Sequence, residues 1–240
     1  MKKGLLILVP TLLLSLTACD LSEILNQLGG DSDEEESSQA INNPASDGGD
    51  DDSIFDKTES LEKLMAFGKN TGFEIKTSGS ESGSASAAVS ILGMKGNVWW
   101  VMDDEGYGTA YRLDNGVCSS LTYDSSSQTW SVLIANVGES QYTEMFASLA
   151  NYLYKANTYF ANEGFESDGS SVYAGRNVLK YKYHRAVATV SVDNEYYVDQ
   201  ELGITIYQYA ATTSDGEISW AKIETTSFKT GNDVTAISIA

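Results

Sequence analysis

Short β-rich runs that alternate with turn sequences constrain the fold of this chain more than any other feature. Between residues 72 and 134, six runs rich in β-branched and aromatic residues are separated by turns such as Asp103-Asp104-Glu105-Gly106 and Asp114-Asn115-Gly116. Aspartate, asparagine and glycine tolerate a positive φ angle or hydrogen-bond their own backbone, so each turn sequence favours a chain reversal. The pattern predicts an antiparallel meander of strands at residues 72–77, 85–95, 98–103, 109–113, 117–123 and 129–134.

The same alternation resumes after residue 170. Its predicted turns are Asp193-Asn194, residues 199–203 and Asp215-Gly216. The two prolines of the chain, Pro10 and Pro44, both precede the β-rich part, so no proline interrupts long ladders there. Further strands are therefore predicted at residues 171–174, 179–185, 188–192, 195–199, 204–211, 218–226 and 233–239.

Two segments have helical rather than strand periodicity. The first covers about residues 57–67, with Asp56 as a capping residue and Gly68 where the helix is expected to stop. The second covers about residues 140–161, and we expect its apolar stripe to pack on the sheet. That stripe repeats every three or four residues and consists of Tyr142, Met145, Phe146, Leu149, Tyr152, Leu153, Ala156, Tyr159 and Phe160.

The predicted strand at residues 98–103 is apolar on both of its faces. Trp99 and Val101 point to one side, whereas Trp100 and Met102 point to the other. Because antiparallel sheets commonly leave one face in water, this strand predicts covering helices on one face and either closure or a cavity on the other. The predicted fold class is α+β: a curved antiparallel sheet with two main helices on its concave face.

The N-terminal residues of the chain have the pattern of a targeting sequence. Lys2 and Lys3 precede a short apolar run, and Leu16-Thr17-Ala18-Cys19 resembles the lipobox of bacterial lipoproteins. The apolar run is shorter than the roughly 20 residues of a membrane-spanning helix, so residues 1–18 are predicted to be a cleaved signal peptide. The resemblance implies a lipid on Cys19 that anchors the protein to the extracytoplasmic side of a cell membrane, inner or outer. The alternative is an ordinary secretory signal.

Acidic residues concentrate between the predicted signal peptide and the first helix. Residues 20–60 carry thirteen acidic side chains and one basic side chain. Such a segment repels itself and buries little apolar surface, so residues 19–56 are predicted to be a disordered tether. Residues 61–240 hold twenty-one acidic and twelve basic residues without a basic cluster, which argues against nucleic acid as a partner.

Reactive side chains are sparse in this chain. His184 is the only histidine, which excludes Ser-His-Asp triads and multi-histidine metal sites. The acidic run at residues 31–36 lacks the glycine and the terminal glutamate of a calcium loop. Cys118 lies in a β-rich run, where a buried small residue is a simpler explanation than a catalytic thiol. We therefore expect no enzyme activity, no cofactor and no bound metal, with an anchored hydrolase as the remaining enzymatic alternative.

The order of these elements resembles the LolA/LolB-like family of bacterial lipoprotein carriers and related lipid-binding lipoproteins. The resemblance rests on the opening helix, the strand Gly72-Phe73-Glu74-Ile75, hairpins through Trp99-Trp100, the central helix and the segment Val198-Asp199-Gln200-Glu201-Leu202-Gly203-Ile204. Over residues 57–240, it implies a half-barrel of antiparallel strands wrapped around helices, with an apolar pocket that receives acyl chains. Known carriers are free periplasmic proteins, so the predicted anchor does not fit a shuttle.

The expected function is that of a membrane-anchored lipoprotein that binds an apolar ligand between sheet and helices. The ligand would be a lipid or the acyl chain of another lipoprotein. The expected pocket walls are Trp99, Val101, Met102, Met145, Phe146, Leu149 and Leu153. The alternative is a protein-interaction or envelope-sensing module, in which a filled core leaves no pocket and a sheet edge or helix face meets the partner.

Overall fold

The computed structural model describes residues 57–150, 153 and 164–239. Within these residues the helices are α1 (Lys57–Asn70) and α2 (Glu139–Leu149). The strands are β1 (Phe73–Glu81), β2 (Ala88–Lys95), β3 (Val98–Asp103), β4 (Gly108–Asp114), β5 (Val117–Asp124), β6 (Thr129–Ile134), β7 (Glu166–Tyr173), β8 (Arg176–Val187), β9 (Val190–Asp199), β10 (Thr205–Ser214) and β11 (Glu217–Thr230). The predicted signal peptide, Cys19, the predicted tether, and residues 151–152 and 154–161 of the predicted second helix lie outside the described residues.

The eleven strands form one antiparallel sheet in the order β6-β5-β4-β3-β2-β1-β11-β10-β9-β8-β7. Two meanders, β1 to β6 and β7 to β11, meet where β1 pairs with β11, and β6 and β7 stay apart as the two edges. The sheet is therefore open rather than closed into a barrel. The predicted fold class, a curved antiparallel sheet with helices on one face, is confirmed.

One predicted turn is wrong. Asp193 and Asn194 lie inside β9 and pair with His184 and Tyr183 of β8, so the predicted strands at 188–192 and 195–199 are one strand. The chain reverses instead at Ala188, whose φ is 54°. An unbroken register from Val178–Asp199 to Val187–Val190 stabilises this long hairpin, and the pairing outweighs the local turn preference of Asp-Asn.

The predicted last strand, residues 233–239, is also wrong. Gly231 has a φ of 62° and opens a short 3₁₀ turn, Gly231–Asp233, that redirects the chain after β11. The segment that follows contacts the sheet at an isolated parallel bridge between Ile239 and Trp130. Its Val234 is buried and packs on the face of the sheet away from the helices.

Helix α1 extends beyond its predicted end. The amides of Thr71 and Gly72 both donate to the carbonyl of Phe67, and Gly72, with φ 88°, ends the helix. Gly68 serves packing instead, because a Cβ at this position would lie 2.6 Å from the sulfur of Met94. The missing side chain allows α1 to approach β2 closely.

Candidate ligand-binding site

The predicted site residue Trp99 lies at the centre of the core between the sheet and the helices. Its side chain is fully buried and stacks on Tyr111, its cross-strand partner in β4, at 4.7 Å between ring centroids. The edges of Phe146 and Tyr142 complete the enclosure at 5.7 and 6.3 Å. The indole Nε1 donates to the carbonyl oxygen of Tyr142 at 3.0 Å. Trp99 therefore ties α2 to the sheet by ring contacts and a hydrogen bond.

Five other predicted residues join the same cluster. Phe146 and Leu153 are buried, whereas Val101, Met145 and Leu149 are half-buried and pack against the cluster. Within α2, buried Phe146 therefore lies between two side chains that keep some solvent exposure. These two, Met145 and Leu149, form a partly accessible apolar seam between α2 and the sheet.

Met102, the seventh predicted residue, lies on the opposite face of the sheet. Strand alternation separates it from Val101, and it packs with Trp100 and Trp130 in a second cluster. For the face without helices, the sequence predicts closure or a cavity. The structure covers it with Val234, Ile237 and Ile239 from the segment after β11.

A small cavity adjoins Leu153. Its volume is about 10 Å³, close to the space that one water molecule requires. The hydroxyl of Thr225 borders it and is buried with no hydrogen-bond partner in the described part of the chain. The other lining residues come from β1, β10 and β11: Thr77, Thr205, Ile206, Tyr207, Gln208 and Ile223. An acyl chain requires far more space than this cavity offers.

Burial also governs the titratable groups near Trp99. Cys118 is fully buried, and burial raises the pKa of its thiol. Burial raises the pKa of Tyr142 as well, with a smaller contribution from Cys118. The neutral thiol fits the predicted role of Cys118 as a small core residue, because the thiolate is the nucleophilic form of cysteine. The predicted surface position of His184 is confirmed: its side chain is 65% exposed and lies 2.6 Å from a carboxylate oxygen of Asp193.

An ion-pair cluster that no local sequence pattern predicts lies beside α1. The Arg176 guanidinium donates to both carboxylate oxygens of Asp199, at 2.6 and 3.1 Å, and to Glu201 at 2.8 Å. It also lies 5.0 Å from the ring of Phe228 and 5.8 Å from that of Phe67. The hydrogen bond that Arg176 donates to Asp199 is the main cause that raises the pKa of Arg176. The cluster therefore joins β8, β9, β11 and α1.

Asp199 also shapes the loop after β9. One of its carboxylate oxygens accepts the backbone amides of Glu201 and Leu202 at 3.0 and 2.8 Å. The next residue in the loop, Gly203, accepts a hydrogen bond from the hydroxyl of Ser60 in α1 at 3.0 Å. Residues 198–204, the segment that most resembles the carrier family, thus anchor α1 to the sheet. The sequence feature that marks this loop is the turn from Asp199 to Gly203.

Neither metal ligation nor membrane spanning is indicated by the described residues. They contain no cluster of three histidine, cysteine or acidic side chains that could hold a metal ion. None of the helices formed by these residues is long and apolar enough to cross a bilayer.

Comparison with known proteins finds no matching family model and no matching curated protein. Similar solved structures include the MucA/MucB complex of Pseudomonas aeruginosa, with 13% identity, 75% of this chain and 58% of that chain covered, and a TM-score of 0.35. A putative outer membrane lipoprotein-sorting protein domain from Vibrio parahaemolyticus shares 7% identity over 75% of this chain and 95% of that chain, with a TM-score of 0.23.

A DUF1329 family protein from Desulfovibrio piger shares 6% identity over 75% of this chain and 93% of that chain, with a TM-score of 0.28. The chain spans about three fifths of the length of the MucB chains that it matches. At these identities and TM-scores, the similarities carry no argument about function.

Proposed function

We propose that this protein is a non-enzymatic, membrane-anchored extracytoplasmic lipoprotein that binds an apolar ligand between the sheet and α2. The ligand is a lipid or the acyl chain of another lipoprotein. The observation that carries the proposal is the apolar seam of Met145 and Leu149, which keeps partial exposure beside the fully buried Phe146. Burial of an alkyl chain against these side chains stabilises the complex by about 25 cal/mol for each square ångström of apolar surface removed from water.

Binding at this seam requires α2 to move. The cavity beside Leu153 holds about one water molecule, so an alkyl chain fits only after Leu153 and α2 separate from the sheet. The contacts of α2 to the sheet are mostly apolar, and such contacts are non-directional. An inserted alkyl chain therefore replaces them with contacts of the same kind, and the buried hydroxyl of Thr225 offers a polar partner.

A fluorescent fatty acid and lipid mass spectrometry test the proposal. Wild-type protein should co-purify with lipid and bind the fatty acid. Leu149→Lys places a charge in the seam and should weaken binding by about ten-fold or more, since burying an unpaired ammonium is costly. Thr143→Lys adds the same charge on the exposed side of α2 and should bind like wild type. Absence of both lipid and binding, or equal affinity of the two variants, contradicts the proposal.

A second candidate function is a protein-interaction or envelope-sensing module. The observation that favours it is the mutual packing of Trp99, Tyr111 and Phe146, which fills the space where a ligand was expected. In this case the outer surface carries the function. Recovery of a stoichiometric protein after crosslinking in cells, from a preparation free of lipid, supports this candidate. Recovery of bulk lipid alone counts against it.

A further inference from the structure

The edge strand β6 exposes apolar side chains that nothing in the described part of the chain covers. Val132, Leu133 and Ile134 are 44, 60 and 54% exposed. Strand β6 pairs with β5 on one side and ends the sheet on the other. Exposed apolar edges are templates for pairing with another chain, and natural proteins normally protect them.

The opposite edge of the same sheet has such protection. Both edge strands have a register shift against their neighbouring strand, but Asp168 of β7 binds Lys180 and Lys182 of β8, each at 2.9 Å. Strand β6, in contrast, contains no charged residue, glycine or proline between Thr129 and Ile134. The two edges therefore differ in charge, and only β7 has charged side chains of the kind that discourage pairing with another chain.

The backbone of β6 is oriented for strand addition. The amide of Trp130 points away from β5 and donates to the carbonyl of Ser238 at 3.1 Å. Because antiparallel strands alternate their amide direction every residue, the N–H of Val132 points to the same side as that of Trp130. The segment after β11 pairs with β6 at Trp130, so the edge from Ser131 to Ile134 is the part open to a partner.

The charges around β6 define the chemistry of that partner. Asp124 lies opposite Thr129 at one end of the strand, and Glu139 opens α2 shortly after the other end. We propose that β6 is the docking edge for an extended segment of another protein, apolar at alternate positions and flanked by lysine or arginine, which adds as a further strand. A second copy of this chain would bring acidic residues onto like charges. This inference goes beyond the proposed ligand site and does not depend on it.

Fluorescence polarisation of the purified protein with a labelled synthetic peptide tests the inference. The probe is Lys-Lys-Val-Thr-Val-Thr-Val-Lys-Lys. Val132→Pro removes the edge amide without removing a bond to β5, and Leu133→Lys places a charge on the edge. Each should weaken peptide binding by about ten-fold. Val172→Lys, at a 70% exposed position of the other edge strand, is the matched control and should bind like wild type.

Further outcomes separate this inference from the alternatives. A peptide with glutamate in place of the four lysines should bind about ten-fold more weakly, since like charges repel. Equal binding of the two peptides, no binding of the lysine peptide to wild type, or unchanged binding by both β6 variants overturns the inference. So does sedimentation that shows a dimer abolished by Leu133→Lys, since the edge then pairs with a second copy. Fatty-acid binding should be the same in Leu133→Lys as in wild type, which keeps this test independent of the proposed ligand site.

Discussion

Removal of the Asp199 carboxylate should destabilise the protein more than any exposed ion pair does. Asp199 is 1% exposed and accepts hydrogen bonds from Arg176, Glu201 and Leu202. In Asp199→Ala, the guanidinium of Arg176, which is 16% exposed, loses its buried partner, and two backbone amides lose their acceptor. Breaking one side of a buried ion pair costs about 3–5 kcal/mol, and we expect a loss of free energy of unfolding in this range.

Urea unfolding followed by tryptophan fluorescence measures this loss. Trp99, Trp100 and Trp130 are buried and report on the core, and linear extrapolation gives the free energy of unfolding in water. Lys229→Met is the control, because the ion pair of Lys229 with Glu74 is 48% exposed at the lysine and such pairs contribute about 0–1 kcal/mol.

A double variant separates the ion pair from its surroundings. In Asp199→Ala with Arg176→Met, no buried charge is left unpaired, because the remaining partner, Glu201, is 62% exposed. The methionine can fill the space beside Phe228 and Phe67. The double variant should therefore lose about 0.5–3 kcal/mol less than the sum of the two single variants. If Asp199→Ala loses less than about 1 kcal/mol, or if the two losses simply add, the assignment of this cluster as the anchor of α1 is refuted.

Three other changes test separate parts of the structure. Gly68→Ala should lower the melting temperature, because overpacking against Met94 costs about 1–3 kcal/mol. Ala66→Ser, at an exposed position of the same helix, should not. Equal melting temperatures of the two variants contradict the close approach of α1 to β2. Tyr173 should titrate near pH 12, because burial, then Glu224, raise its pKa from 10.0. The raised pKa means that its stabilising contribution is complete below pH 10 and lost as the pH rises towards 12. Ultraviolet difference titration of wild type and Tyr173→Phe checks this. If the phenol that the variant lacks titrates near pH 10 in wild type, the raised pKa is contradicted. Cys19→Ser should move the protein from the membrane to the soluble fraction, and retention in the membrane refutes lipid anchoring.

The turns of the sheet could be predicted where the turn residues themselves favour a chain reversal. At Asp114-Asn115-Gly116, Asn115 and Gly116 have φ angles of 51° and 79°, which only a few residue types adopt without strain, so the sequence alone locates the β4–β5 turn. At Ala188 the φ angle is also positive, yet alanine carries no turn signal. The β8–β9 turn is set by the pairing of two long strands, which is not visible locally.

In the candidate site, too, local periodicity predicts some contacts and misses those between residues distant in the sequence. Alternation along β3 and helical periodicity in α2 place Trp99 and Phe146 on facing surfaces, and the structure brings these rings to 5.7 Å. The same alternation separates Met102 from Trp99, so its inclusion among the pocket walls conflicted with the strand geometry. Arg176 and Asp199 lie 23 residues apart in the sequence, on the neighbouring strands β8 and β9. No local periodicity of the sequence predicts their ion pair.

The open sheet explains why faces and edges carry different kinds of residues. Helices cover the face of Trp99, and the segment after β11 covers the face of Trp100, so both clusters are shielded by parts of the same chain. An edge differs from a face because its free backbone groups can be satisfied by water or by one more strand. Charged residues, as on β7, favour an edge whose backbone groups bind water. An uncharged apolar strand, as on β6, favours pairing with one more strand. Adding a strand to β6 leaves both clusters intact, so the domain can bind at this edge without unfolding.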